Sequence, residues 1–202
     1  MIKLPPLSYD YNALAPTLSE HQVRVHYDKH TKNYFTSTNR LITGTIYENV
    51  TDIESLLNKK TLSSVDSILF NTAAQARNHI LFWNSISPNK DNHIIPTPLE
   101  NHIKEDFGSV DKLKQIFVDK SIQHFGSGWC WIILKNGKMV VKTTPNATTV
   151  LVTPTECPLL VIDLWEHAYL YDPQYEADKK SYVTNIWNII NWNFAHDNYR
   201  SA

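Results

Sequence analysis

The sequence WCWIILKNGKMVVKTT, residues 129–144, decides the fold, because its apolar residues form two short runs around a tight turn. Asn136 and Gly137 tolerate the positive backbone angles of a two-residue hairpin turn, so this stretch predicts two antiparallel strands. A third strand is predicted from Pro158 to Asp163. It is apolar on both faces, which predicts a position inside the sheet and places Asp163 at its carboxyl end.

The chain upstream of this hairpin carries helical patterns. Ser19 and Glu20 are typical of a helix start, and neither glycine nor proline interrupts the chain from there through Arg40. Residues spaced by four lie on one face of a helix. On this helix they are His26, His30 and Tyr34.

A second helix is predicted from Ser64 to Ser85. It carries another set of residues at steps of four, namely Gln75, His79 and Trp83. Both sets can face one site, since the two helices are expected to form an antiparallel hairpin.

Three prolines in a polar stretch, Pro88, Pro96 and Pro98, mark a connection between two halves of the chain. The helices predicted after them run from Leu99 to Asp106, from Val110 to His124 and, as an amphipathic closing helix, from Tyr182 to His196. The predicted fold class is therefore α+β. An N-terminal antiparallel helical hairpin over residues 1–88 precedes an α/β half over residues 89–202 with a three-stranded antiparallel sheet.

Composition limits the function classes. The 202 residues are 42% hydrophobic and carry a formal net charge of −1, which allows a buried core and gives no basic run for nucleic acid binding. No apolar stretch approaches the roughly 20 residues of a membrane helix. Two cysteines are too few for a disulfide framework, and early prolines interrupt any signal-peptide core, so a cytoplasmic protein is expected. A removed presequence and a mitochondrial location stay open.

Three histidines and one aspartate stand among bulky apolar and aromatic neighbours. They are His26, His79, His167 and Asp163. An isolated histidine is more often a surface or satisfied core residue, but an unpaired ionisable group is costly to bury in contexts such as NHILFW and DLWEHAY. Metal ligation removes that cost. Three imidazoles with one carboxylate suit a transition metal of middle affinity that keeps one coordination position open.

Five segments of the chain resemble a known family. They read VHYDKHTKNYF around His26, AAQARNHILFW around His79, FGSGWCW at residues 125–131, DLWEHAY at residues 163–169 and NWNF near the C-terminus. In this order and spacing they resemble the iron/manganese superoxide dismutase family. The resemblance implies that the three histidines and Asp163 bind one iron or manganese ion, with a solvent molecule as fifth ligand. It implies dismutation of superoxide to oxygen and hydrogen peroxide.

The resemblance also implies catalytic roles for Gln75, Tyr34 and His30. Gln75 is expected to hydrogen-bond to the metal-bound solvent, which an amide can do as donor or acceptor. A glutamine on this helix is the pattern of the iron-using branch, whereas the manganese-using branch supplies it from the segment near Ala147. Iron is thus the expected metal, with manganese as the alternative. Tyr34 resembles the family's gate residue beside the open coordination position, and His30 resembles its hydrogen-bonded neighbour. The apolar shell of the family site is matched by Trp83, Trp129 and Trp165.

A homodimer through the region of Glu166 and His167 is a further implication, because the matching glutamate in family dimers reaches the partner's ligand histidine. Leu170 departs from the family pattern, which has a second tyrosine here that bonds across the dimer. Leucine cannot make that bond, so the expected contact is weakened.

Two more departures concern the expected dimer contact and the path of the anionic substrate. Glu176 falls near the position of an arginine that helps to draw in the substrate, so Lys179 or Lys180 would have to compensate. Thr31 replaces a histidine that usually follows the one at position 30.

Two other function classes stay open. The first is a structural subunit of a larger assembly that keeps the dismutase fold with an altered dimer surface and little or no catalysis. Retention of four ligands together with Gln75 and Tyr34 favours the enzyme over that class. The second is a non-haem iron oxygenase with two histidines and a carboxylate, which leaves the extra histidine and the segment WEHAY without a role.

Overall fold

A computed structural model describes residues 1–58, 62 and 67–202 of the chain. Its helices are α1 (Glu20–Arg24), α2 (Lys32–Ile42), α3 (Ile53–Leu57), α4 (Ser67–Ser85), α5 (Thr97–Phe107), α6 (Val110–Gln123), α7 (Lys179–Ile186) and α8 (Trp192–Ser201). Its strands are β1 (Gly128–Lys135), β2 (Lys138–Pro145) and β3 (Glu156–Asp163). The predicted α+β class is confirmed, with a helical N-terminal part followed by an α/β part with a three-stranded antiparallel sheet.

The first helix begins where the sequence predicts. Ser19 Oγ accepts the backbone N–H of Gln22 at 3.2 Å, which satisfies one of the donors left unpaired at a helix start. The chain does not continue as one α-helix through Arg40. A π-helical segment, Val25–Thr31, joins α1 to α2, which then runs to Ile42. The wider π turn changes the angular spacing of side chains, so residues four apart no longer share one line.

The two long helices of the N-terminal part, α2 and α4, pack against each other. They share a hydrophobic cluster in which Phe35 of α2 lies with Ala73 and Ala76 of α4. Such small side chains allow two helix axes to approach closely. The predicted start of the second helix at Ser64 lies outside the described residues, and its predicted end at Ser85 is confirmed.

The hairpin of β1 and β2 forms as its turn residues predict. Asn136 and Gly137 have φ values of 50° and 76°, and β1 pairs antiparallel with β2 on one side and with β3 on the other. The strand order is β2-β1-β3. The prediction that the third strand lies inside the sheet is therefore wrong, because β3 is an edge strand.

The outer edge of β3 is bonded to helices instead of to another strand. The Val161 N–H donates to Ser85 Oγ of α4 at 3.1 Å, and Asn198 Nδ2 of α8 donates to Leu159 O at 3.1 Å. Consecutive residues from Leu159 to Asp163 are buried, so both faces of β3 are covered as well as part of its edge, which explains its apolar sequence. The strand ends at Asp163, as predicted.

The prediction of one closing helix from Tyr182 to His196 is wrong. Helix α7 ends at Ile186, a 3₁₀ turn follows, and α8 begins at Trp192. The break lies at Asn191, whose backbone N–H donates to Ser85 O at 2.8 Å and whose Oδ1 accepts the Phe194 N–H at 3.1 Å. Asn191 therefore ties the end of α4 to the chain and caps a new helix.

The larger hydrophobic cluster joins the two parts of the chain. It contains Tyr27 and Phe82 from the helical part and Trp129, Leu160 and Trp187 from the α/β part. The faces of the helical hairpin that carry His26 and His79 are therefore packed against the sheet. Among the residues that the structure describes, no helix is both long and apolar enough to span a membrane.

Candidate metal centre

Four ionisable side chains from four separate segments meet between the helical hairpin and the sheet. His26 lies in the π-helical segment, His79 in α4, Asp163 at the end of β3 and His167 in the 3₁₀ turn Glu166–Ala168. The first three are at most 1% exposed. One ligand atom from each lies within 4.8 Å of the others. The structure thus brings together all four residues that the sequence singles out.

Asp163 Oδ2 is the common neighbour of the three imidazoles. It lies 3.1 Å from His26 Nε2, 3.5 Å from His79 Nε2 and 3.1 Å from His167 Nε2. Two ligand atoms bonded at about 2.1 Å to one ion, with angles of about 90 to 120°, lie about 3.0 to 3.6 Å apart. The observed spacing therefore fits four ligands of a single ion.

The orientation of His79 supports the same interpretation. Its Nδ1 donates to Gln75 O at 2.7 Å, which leaves the lone pair on Nε2. Nε2 is fully buried and has no hydrogen-bond partner among the described residues. A buried acceptor without a donor is costly, and a cation at this point would satisfy it.

Burial sets the protonation of these groups. It lowers the pKa of His26 to about 4 and the pKa of His79 well below its ordinary 6.5. Burial raises the pKa of Asp163, but the contacts with His167 and His26 outweigh it and hold that pKa below its ordinary range. At neutral pH these three residues are two neutral imidazoles and a carboxylate, the forms that bind metal ions.

Gln75 lies beside the four residues with a defined amide orientation. Its Oε1 accepts the Trp129 Nε1–H at 3.0 Å, and its Nε2 donates to Tyr34 Oη at 3.3 Å. An indole N–H can only donate, so Trp129 fixes the amide oxygen and turns the NH₂ group towards Tyr34. The Tyr34 ring lies 5.1 Å from the His79 ring. Burial raises the pKa of Tyr34, which therefore keeps its proton at neutral pH.

His30 is placed differently from the expectation that it is hydrogen-bonded beside Tyr34. Its ring stacks on His167 with a centroid distance of 4.2 Å and an interplanar angle of 15°, and burial lowers its pKa to about 4. Tyr34 Oη instead accepts from Gln75. His30 lies in the π-helical segment and Tyr34 in α2, so the two side chains do not keep the regular four-residue spacing of an α-helix.

Thr31 is buried, whereas the sequence grouped it with the departures at the dimer contact and the substrate path. Its Oγ1 donates to His26 O at 3.0 Å and accepts the Trp83 Nε1–H at 3.0 Å. Thr31 therefore links the backbone of His26 to the aromatic shell. On another side, Trp165 stacks on His167 at 5.6 Å.

One buried polar residue near the group was missed by sequence reasoning. Gln22 is 0% exposed; its Nε2 donates to His167 O at 2.7 Å, and its Oε1 accepts the Tyr171 N–H at 3.0 Å. Its position four residues before His26 is compatible with a shared helix face, but that spacing alone does not show that Gln22 is buried. Its partners lie 145 and 149 residues further on.

A cleft of about 430 Å³ opens beside His167, and Trp165, Glu166 and Lys179 belong to its lining. Lys179 Nζ donates to His124 O at 2.6 Å, and burial lowers the pKa of this lysine. One of the two lysines that could offset Glu176 therefore lies in the cleft next to the group.

Two family descriptions match the sequence over most of its length. Residues 1–87 match iron/manganese superoxide dismutases, alpha-hairpin domain, and residues 96–198 match iron/manganese superoxide dismutases, C-terminal domain.

Curated relatives align over nearly the whole chain, and each carries the name superoxide dismutase (Fe). The protein from Bordetella pertussis is 41% identical over 198 residues, which cover 97% of both chains. The protein from Coxiella burnetii is 38% identical over 201 residues, or 98% of both chains. The protein from Plasmodium falciparum isolate 3D7 is 40% identical over 205 residues, with 100% of this chain and 98% of the relative covered.

Proposed function

The chain belongs to the iron/manganese superoxide dismutase family, and we propose that His26, His79, Asp163 and His167 hold the iron ion that it uses. It is an oxidoreductase, a superoxide dismutase, whose substrate is superoxide. The observation that carries the ligand assignment is the spacing of 3.1 to 3.5 Å between Asp163 Oδ2 and the three imidazole nitrogens. The relatives' names do not favour a structural subunit without catalysis.

A bound iron ion supplies one-electron transfer in both directions, so that two superoxide ions and two protons give oxygen and hydrogen peroxide. The residues around it must bind an anion, exclude other molecules and provide protons. Tyr34 and Gln75 are placed for the last task, because Gln75 Nε2 donates to the Tyr34 hydroxyl. That hydroxyl keeps its own proton for donation towards the site. We assign both as catalytic residues.

His30 is proposed as the third catalytic residue. It is partly exposed and stacks on His167, so a proton or a substrate that comes from solvent meets it beside the ligand. Its low pKa keeps the imidazole neutral at pH 7, and a neutral imidazole can both accept and donate a hydrogen bond.

Iron is proposed as the metal, with manganese as the alternative. The names of the relatives support iron, and so does the glutamine on α4 with its amide fixed by Trp129. Side chains that form hydrogen bonds around a metal site without binding the metal change its affinity and its reduction potential.

The purified protein tests the ligand assignment directly. We expect close to one iron ion per chain and suppression of superoxide-driven dye reduction. His79→Ala should remove both, whereas His102→Ala, a histidine bonded to Tyr199 and Asp106 away from the site, should keep both. Retention of iron and activity by His79→Ala would contradict the assignment.

A homodimer through the cleft beside Glu166 and His167 is proposed as well. Phe125 is 98% exposed and precedes Gly126, which belongs to the cleft lining. A dimer contact at this cleft would cover the Phe125 ring, although Leu170 cannot form the hydrogen bond across the dimer that the family pattern has. Native mass spectrometry at micromolar concentration should show twice the chain mass; a single-chain mass would contradict the dimer, and a higher multiple would indicate a larger assembly.

A cytoplasmic location and a division of the chain into residues 1–88 and 89–202 are proposed too. Cys130 and Cys157 are both free thiols, which suits a reducing compartment. Fractionation of the source cells tests the location, and limited proteolysis near residue 88 tests the division.

A further inference from the structure

The loop that carries His167 is held at two points by one buried amide. Gln22 Nε2 donates to His167 O, and Gln22 Oε1 accepts the N–H of Tyr171. The loop between these points turns on its own hydrogen bonds, with the Ala168 N–H donating to Trp165 O at 2.9 Å and the Leu170 N–H to Glu166 O at 2.8 Å. Without Gln22, His167 O and the Tyr171 N–H would lose these partners at a partly buried position, and an unsatisfied polar group there costs free energy.

The same helical stretch places a second ligand. His26 lies four residues after Gln22, and its Nε2 is 3.1 Å from Asp163 Oδ2. One continuous helical stretch, from α1 into the π-helical segment, therefore carries both His26 and the amide that holds the backbone of His167. A shift of this segment changes the distance between two ligand nitrogens directly.

Gln22 also acts on the solvent side of His167. The backbone nitrogen that it fixes belongs to Tyr171, whose ring centroid lies 6.3 Å from that of His30. His30 in turn stacks on His167. The His167 ring therefore has His30 stacked on it, and the backbone nitrogen that Gln22 holds belongs to the residue whose ring lies next to His30.

Other hydrogen bonds join the same two segments without touching the ligand. The Ser19 N–H donates to Asp172 Oδ2 at 2.7 Å, and Gln174 Nε2 donates to Pro16 O at 2.6 Å and Thr17 O at 3.0 Å. These contacts hold the loop to the N-terminal segment at positions five and seven residues beyond His167. Gln22 differs from them because it bonds to the ligand residue itself.

We propose that Gln22 is a positioning residue for iron, which fixes the backbone of His167 relative to His26 and so slows the loss of the ion. This proposal rests on the proposed function. Hydrogen bonds behind metal ligands typically change metal affinity by about 10 to 100-fold, and a contact to ligand backbone belongs to this class.

The test compares iron release from matched variants. Iron-loaded protein is mixed with 2,2′-bipyridine under reducing conditions, and the release rate is followed by absorbance, with the ferric EPR spectrum recorded beforehand. Gln22→Met keeps the length of the side chain and loses both hydrogen bonds; we expect release about 10 to 100-fold faster and a changed rhombicity of the EPR signal. Gln174→Met removes the side-chain hydrogen bonds to Pro16 O and Thr17 O, which also join the loop to the N-terminal segment. This variant should leave the release rate and the EPR spectrum at wild-type values.

A second variant covers a failure of Gln22→Met to fold or to take up iron. Gln22→Asn keeps a buried amide that is too short to reach both backbone groups, and its release rate should lie between wild type and Gln22→Met. Wild-type release and an unchanged spectrum in the Gln22 variants would overturn the proposal. Equal acceleration in the Gln22 and Gln174 variants would overturn it too, since a general loosening would then suffice.

A failure of Gln22 as a positioning residue can be distinguished from a failure of the four ligands. A wild-type protein that holds iron and dismutes superoxide, with Gln22 variants that behave like it, removes only the role of Gln22. A wild-type protein that holds no iron at the four ligands removes the ligand assignment and this proposal together.

Discussion

At the scale of single residues, the amide of Gln75 lies between a fixed donor and a titratable hydroxyl. Trp129 Nε1–H donates to the amide oxygen, and the amide NH₂ donates to Tyr34 Oη. The side chain cannot turn over without losing both contacts, because a reversed amide would place NH₂ against an indole N–H. A change at this position therefore alters the hydrogen bonds that the site donates, while the four candidate ligands remain.

Replacement of Gln75 by Glu tests this point. A carboxylate cannot donate to Tyr34 when ionised, so we expect iron to stay bound while the reduction potential shifts and activity falls at least about 10-fold. Redox titration and metal analysis of the same sample separate the two effects. Gln115→Glu, on the exposed face of α6, is the matched control and should leave potential and activity unchanged. Loss of iron from Gln75→Glu would contradict a role in which Gln75 acts by hydrogen bonds and does not affect metal binding.

A single site residue can be predicted from sequence when its type and its neighbours indicate its environment. The group of His26, His79, Asp163 and His167 was predictable, because buried imidazoles among aromatic residues need a partner of a particular kind. Gln22 and Thr31 were not. A glutamine or threonine is ordinary on a surface helix, and only contacts with residues far along the chain show that these two are buried.

At the scale of elements, one carboxylate ties the three strands together. Glu156 begins β3 and is 7% exposed, with Lys135 Nζ of β1 at 3.1 Å and Lys142 Nζ of β2 at 2.7 Å. Burial raises the pKa of Glu156, but the two ammonium groups outweigh it and lower that pKa below its ordinary 4.5. The folded protein therefore binds this proton less readily than the unfolded chain does.

Glu156→Gln should destabilise the metal-free protein by about 1 kcal/mol at pH 7, since the neutral amide loses two ion pairs of which the lysines are partly exposed. A lowered carboxyl pKa stabilises the fold above pH 4.5, and this contribution disappears as the pH falls through the folded pKa. Urea unfolding between pH 3 and 7 measures the difference. Glu105→Gln, an exposed glutamate on α5, should show no such dependence, and a pH-independent loss in Glu156→Gln would contradict the ion-pair account.

The elements themselves were predictable where the signal is local. The Asn136–Gly137 turn specifies a hairpin within a few residues, and its strands form as expected. The edge position of β3 and the break at Asn191 were not predictable, because both depend on Ser85, which bonds to Val161 through its side chain and to Asn191 through its carbonyl. Periodicity in the closing segment carries no information about such a distant partner.

At the scale of the whole molecule, the four candidate ligands connect the helical hairpin to the sheet. His26 and His79 belong to the N-terminal part, while Asp163 and His167 belong to the α/β part. An ion held by all four binds the folded state and not the unfolded chain, so it adds its binding free energy to stability.

Removal of iron should therefore lower the melting temperature of the protein. Binding at a free ligand concentration of 1,000 times Kd contributes about 4 kcal/mol, and a domain of this size melts about 2 to 4 °C lower for each kcal/mol lost. We expect a fall of about 8 to 16 °C by differential scanning calorimetry, recovered on reloading with iron. Identical melting curves of the iron-free and loaded forms would contradict a site that spans both parts.

The separation of the candidate ligands along the chain also has a consequence for biosynthesis. Asp163 follows His26 by 137 residues, and a ribosome that adds about 5 to 20 residues per second needs about 7 to 27 s to cover that distance. During this interval a nascent chain carries at most half of the donor set. An ion that needs all four donors can therefore bind only after translation has delivered Asp163 and His167.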